Sequence, residues 1–260
     1  MALVPRNISQ AEAREVIDAF VAERLIKLES PSSTTGRINL DGWNPVTLEN
    51  EPGNVAGVIV RYWPTGKKGT ESQISTGSAP DRLDPRNAMA FVLMCQMLNT
   101  AWGVTELYHA GISGDRPGGR NDCHGQGRAV DFVGARGNLF GADVYFTVFD
   151  DWGRIHVPGL TTAGGDWPAG TGGNTSYRLL ADGAPDTAAW QFFLELYHFA
   201  ATNYQDRTDG LEDASDPTDI GKKSRFIMHP DHPKSAPGTL HGREAHKGHI
   251  HMQIGRTGSA

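Results

Sequence analysis

Six of the ten histidines in this 260-residue chain lie at or after position 229, and they end in His246-Lys247-Gly248-His249-Ile250-His251. Far upstream, in His124-Gly125-Gln126-Gly127-Arg128-Ala129-Val130-Asp131, another imidazole stands seven positions before a carboxylate. Residues two apart in a strand share a face, so His249 and His251 project together while Ile250 points the other way. Histidine and aspartate are ligands of catalytic zinc, and three such ligands leave one coordination position free. The expectation is a fold that folds back on itself to bring His124, Asp131 and a terminal histidine to one metal. The competing reading is a solvated histidine-rich tail, which His229, His232, His241 and His246 keep in play.

The totals bound the class. A chain of this length forms one domain with insertions or two small ones, and 38% hydrophobic residues supply a core. The 32 glycines and 15 prolines predict long irregular loops. A net charge of -6 argues against a general nucleic-acid binder. No apolar run approaches the ~20 residues of a membrane helix. The first residues lack the apolar core of a signal peptide, which predicts a chain made in the cytoplasm that reaches any outside target by another route. Two cysteines are too few for a disulfide framework. Cys95 reads as a small buried hydrophobe. Cys123 adjoins His124, but neighbouring side chains in extended backbone diverge, so packing is favoured over ligation.

Ser9 and Glu12 make a capping box ahead of Val16, Ile17, Phe20, Val21, Leu25 and Ile26, so a helix is expected over 10–28. Residues 29–54 read as loop and 55–63 as a strand. Asp84 and Pro85 supply an N-cap and first-turn proline for a helix over 86–102, which Gly103 stops. Strands are expected over 104–110, 129–133, 144–149 and 249–254, and a helix over 188–204. Residues 161–175 are too glycine-rich for regular structure, and 205–224 read as acidic surface loop. Strands and helices interleave without a regular βαβ rhythm. The fold class is therefore α+β, a small antiparallel sheet with helices packed on one side.

The segment His124, Gly127, Ala129, Asp131 is similar to the His-x2-Gly-x-Ala-x-Asp signature of the LAS metallopeptidases, the group of lysostaphin, D-alanyl-D-alanine metallopeptidases and hedgehog proteins. His249-Ile250-His251 resembles the group's second element, His-x-His. The resemblance spans roughly residues 84–254. It implies a hedgehog/DD-peptidase-like fold with zinc held by His124, Asp131 and His251. It also implies hydrolysis of a peptide bond in peptidoglycan, by an endopeptidase or a D,D-carboxypeptidase. Residues 84–260 would be the zinc peptidase core. Residues 1–83, with their helix, strand and loops, would extend that core or dock a partner. Several branches place Glu or Asp three residues before the zinc-binding histidine, where this chain has Gly248. The spacing His246-x2-His249-x-His251 is closer to the penicillin-insensitive murein endopeptidases, in which histidines take that place.

On this reading His246 is the general base and His249 orients water or stabilises the oxyanion, with Glu244 as the alternative base. His241 reads as a loop residue, or else as a support to the ligands; His229 and His232 read as exposed loop residues. Arg116, Arg120 and Arg128 cluster around the first motif, and arginine binds carboxylates such as those of murein stem peptides. Arg128 is the first choice because it lies inside the motif; Arg116 is the second. Asp115 is expected to bind a substrate amine or to cap a turn, beside Ser113. Trp152 and Trp167 wall a substrate groove or, for Trp152 especially, pack in the core. Delivery to the wall would follow phage lysis, or use a phage tail or contractile injection device. A non-catalytic zinc-bearing module of the same fold is the alternative, and a metal-free adhesin the third.

Overall fold

A computed structural model describes residues 8–29, 36–116, 118–152, 154–156, 175–177, 187–204, 227–230, 246 and 248–254. Helix α1, Gln10–Ala22, starts at the Ser9 capping box and buries Ala13, Ile17 and Phe20. It ends six residues before its expected boundary. Arg24 adopts a left-handed φ of 60°, and the chain turns there past the buried Ile26 into strand β1, Lys27–Leu28. β1 pairs with β2, Leu40–Asp41, inside the segment expected to be loop.

Strand β3, Asn54–Val55, turns at Ala56-Gly57 into β4, Val58–Tyr62. Helix α2, Pro85–Trp102, follows the sequence closely: Asp84 caps it, Pro85 opens it and Gly103 closes it in the left-handed conformation. Its apolar residues surround the axis, so twelve of its residues are buried. Strand β5, Val104–Gly111, then pairs in parallel with β4. β4, α2 and β5 thus form a βαβ unit, and the sheet is mixed where an antiparallel one was expected.

Strand β6, Ala129–Leu139, runs six residues past its expected end and turns at Phe140-Gly141 into β7, Ala142–Thr147. Thr147 accepts from the Asp150 N–H and starts the short helix α3, Val148–Asp151. β8, Arg154–His156, pairs with β9, Thr175–Tyr177. Helix α4, Ala188–Asn203, matches the aromatic run read from the sequence. β10, Ile227–Met228, and β11, Ile250–Gln253, complete the main sheet, whose order is β10-β11-β6-β5-β4-β3 with β7 also on β6.

Val58, Val60, Leu107, Val130, Phe132, Ile250 and Met252 share one core with α1, α2 and α4. Alternation along a strand turns their neighbours Asp131 and His251 to the opposite face. β3 and β4 join the main sheet and α1 packs into the same core, while β2 pairs with β1 beside it, so this part of the chain is built into the sheet and its helical layer. Trp152 is a core residue, 1% exposed. His229 corrects an expectation: it is buried, stacked on Trp152 at 5.2 Å and edge-on to Tyr197 at 5.9 Å. The adjacent proline suggested a loop surface, but the aromatic side of α4 covers the ring. Residues 161–174 and 205–224, with Trp167, His232, His241 and Glu244, lie outside the described residues. No helix among the described residues is long and apolar enough to cross a membrane.

Candidate metal centre

Three strands lie abreast where the chain's chemistry collects. His251 of β11 stands directly opposite Asp131 of β6, and Gly111 of β5 stands opposite Asp131 on the other side. Cross-strand partners share a face, so the imidazole and carboxylate are forced together. Irregular register at Tyr108, His109 and Gly111 bends the end of β5. A Cβ on Gly111 would lie 3.5 Å from Asp131 Oδ2 and 3.6 Å from the His124 ring, so any longer side chain would fill the space the cluster occupies.

His124 arrives from the loop between β5 and β6. Tight turns shape that loop: the Gly127 N–H donates to the His124 carbonyl and the Arg128 N–H to that of Cys123, both at 2.8 Å. Gly127 has φ 69°, and a Cβ there would come 2.2 Å from the Arg82 carbonyl, which is why the motif requires glycine. Buried Asn87 on α2 donates to the Gly127 carbonyl at 2.8 Å, and the Asp84 N–H does so at 3.0 Å. Arg37 donates to the carbonyls of Asp115 and Gly125, at 3.1 and 3.0 Å. Single residues give no sign of these braces in the sequence, because each acts through main-chain groups far away along the chain.

The result is one carboxylate ringed by imidazoles. His124 Nε2 lies 3.2 Å from Asp131 Oδ2, His251 Nδ1 2.8 Å from Oδ1, and His249 Nε2 3.5 Å from Oδ1. His246 completes the group, its ring 5.1 Å from that of His249 and 6.2 Å from that of His251. Burial raises the pKa of Asp131, but hydrogen bonds from His124 and His251 and the charge of His249 overcome it, holding the carboxyl well below its usual range. His251 is shifted upward: burial opposes its charge, and the bonds to Asp131 and Gln253 outweigh burial. His249 is shifted downward, chiefly by burial, despite the nearby carboxylate.

His124, Asp131 and His251 present ligand atoms all within 4.8 Å of one another, and this group could hold a metal ion. The other expected residues divide. Arg128 is buried, its guanidinium turned to Gln126 and toward the Cys123 sulfur, so it is not displayed as a carboxylate clamp. Its place within the motif could not reveal that the turn ahead of β6 carries it inward. Arg116 is exposed. Asp115 is engaged by Arg120, which donates to Asp115 Oδ2 from both its main-chain N–H and Nε at 2.9 Å. Ser113 accepts from the Asp81 N–H at 3.1 Å. Cys95 and Cys123 are both buried thiols, and burial pushes the Cys95 thiol up. Sequence reading missed Gln253, whose Oε1 lies 2.8 Å from His251 Nε2. No protein-family model, curated protein or solved structure matches the chain, so the functional reading rests on these residues.

Proposed function

We propose that the chain is a zinc-dependent peptidase that hydrolyses a peptide bond in bacterial peptidoglycan, within stem peptides or their cross-links. The observation that carries this reading is the meeting of His124, Asp131 and His251 at the positions of the LAS ligand pattern. Two imidazoles and a carboxylate are a donor set suited to zinc with an open position. When bound, zinc supplies a water of pKa about 7 and polarises a carbonyl oxygen.

The chain's own groups do the rest. His246 is assigned as general base: imidazole changes charge near neutral pH, so it can accept a proton and return it to a leaving amine. His249, whose charged form burial disfavours, presents Nε2 beside the carboxylate, where it orients water or donates to a developing oxyanion. Arg116, exposed at the edge of the His124 loop, offers its guanidinium to substrate carboxylates. Access to the wall would come after phage lysis, on a phage tail or through a contractile injection device.

One observation favours a second reading. His249 Nε2 is only 3.5 Å from Asp131, so a small shift would make it a fourth ligand and close the site, as in a zinc-bearing module without catalysis. Elemental analysis and digestion of murein sacculi, each with and without chelator, separate the two. Stoichiometric zinc with chelator-sensitive release of muropeptides is expected, and mass spectrometry of those products identifies the bond. Stoichiometric zinc without release at any pH selects the closed module. Asp131→Ala and His251→Ala should each lose zinc, whereas His246→Ala should keep zinc and lose turnover.

A further inference from the structure

We infer that Gln253 is a positioning residue that fixes His251 in the tautomer that presents Nδ1 to the metal. This rests on the zinc reading above and adds to it which nitrogen binds and what holds it there.

A neutral imidazole has one N–H and one lone pair, and the ligand nitrogen must be the one with the lone pair. The hydrogen bond at the other nitrogen selects the tautomer. In His251 the two nitrogens face different groups. Nδ1 points at Asp131, 2.8 Å from Oδ1, and so into the ligand group. Nε2 points away from it, 2.8 Å from Gln253 Oε1. A side-chain amide oxygen only accepts, so Nε2 must carry hydrogen and Nδ1 is left to bind.

The local backbone brings the two side chains together. Gln253 follows His251 by two positions on β11, so both side chains leave the same face. The cross-strand neighbour of Gln253 is Ala129, whose small side chain leaves the amide room to lie along the strand. Gln253 is 7% exposed, so water competes little for its oxygen. His124 differs: its Nε2 faces the carboxylate. The two imidazoles therefore approach the metal through opposite ring nitrogens, as their routes demand, one from a loop and one from a strand beside Asp131.

The test is zinc affinity, measured by competition with a chromophoric chelator, for wild type, Gln253→Leu and Gln253→Glu. Loss of an outer partner of a ligating histidine typically costs about 10–100-fold in affinity. Gln253→Leu should show that loss. Gln253→Glu restores an acceptor, and a stronger one, so it should bind at least as tightly as wild type. A merely structural role would weaken both variants alike. Long-range 1H–15N spectra of the zinc-loaded wild type give a second readout: the His251 signals should report zinc on Nδ1 and hydrogen on Nε2. Wild-type affinity in Gln253→Leu, or zinc on Nε2, overturns the inference while leaving the metal centre intact. A wild-type protein that takes up no zinc overturns both.

Discussion

Asp131 is the residue on which the centre turns. A carboxylate flanked by three imidazoles is held ionised by them, and it in turn draws them together. Asp131→Asn keeps the shape and removes the charge. It should lower zinc affinity by more than the roughly 10–100-fold expected for an outer partner; a titration with competing chelator measures this, and an unchanged affinity removes Asp131 from the ligand set. His109 carries a second residue-scale prediction. Its Nδ1 is buried without a hydrogen-bond partner although the residue as a whole is partly exposed, and burial pushes its pKa down to about 4. The unfolded chain, with an ordinary value near 6.5, takes up the proton first as pH falls. His109 therefore costs no stability above about pH 6.5 and about 1 kcal/mol per pH unit from there toward 4. Urea unfolding across that range should show a shallower pH slope in His109→Phe than in wild type; equal slopes would mean the ring titrates normally. His124, Asp131 and His251 were legible in the sequence because their chemistry lies in the side-chain type and its spacing. Gln253 and Gly111 were not, since they matter only as neighbours across or along a strand. Arg128 and His229 misled because sequence adjacency says nothing about which face the backbone turns inward.

At the scale of elements, the His124 loop depends on the first turn of α2. Asp84 caps that turn through the Arg86 N–H at 2.9 Å, pairs with the Arg86 guanidinium, and accepts from Gln10 of α1 at 2.9 Å. Asn87, one turn on, holds the Gly127 carbonyl. One helix end thus anchors both the N-terminal helix and the loop that carries a ligand. Asn87→Ala removes a buried donor and leaves the Gly127 carbonyl less well satisfied, which should cost about 1–3 kcal/mol. It should also weaken zinc binding without touching any ligand; equilibrium unfolding and chelator competition on one preparation test both, and a stability loss with unchanged affinity would show that the loop holds its shape unaided. The helices were readable because caps and breakers are local signals: Asp84, Pro85 and Gly103 bracket α2 to within a residue. Strand lengths were less readable. β6 extends to Leu139 through Gly134, Arg136, Gly137 and Asn138, which lack apolar alternation and are held by pairing with β5 and β7. Only the partners make that stretch a strand.

At the scale of the whole molecule, both ends of the described chain belong to one sheet and one core. β11, near the C-terminal end of the described chain, inserts beside β6, while residues 8–83 supply the far side of the sheet and much of the helical layer. The resemblance read from the motifs reached only residues 84–254, which left the role of the first 83 open. Their packing supports a definite expectation for a chain that starts at residue 84. Such a chain exposes the β5 edge that pairs with β4, and the face of α2 that packs on α1. It also loses Ile17, Phe20, Ile26, Val58 and Val60 from the core. At about 1.5–3 kcal/mol for each buried side chain, their removal takes away about 7–15 kcal/mol, as much as the entire stability of a typical domain. The Arg37 clamp on Asp115 and Gly125 goes with them. The truncated chain should therefore show no cooperative urea transition, and it should bind zinc more weakly and less stoichiometrically than the full chain. Far-UV circular dichroism with urea, followed by zinc titration of the soluble fraction, distinguishes the outcomes. A sigmoidal transition with one tightly held zinc would mean that the motif-bearing part folds alone. The N-terminal strands would then be an addition to a finished core, where the shared packing argues that they are part of what closes it.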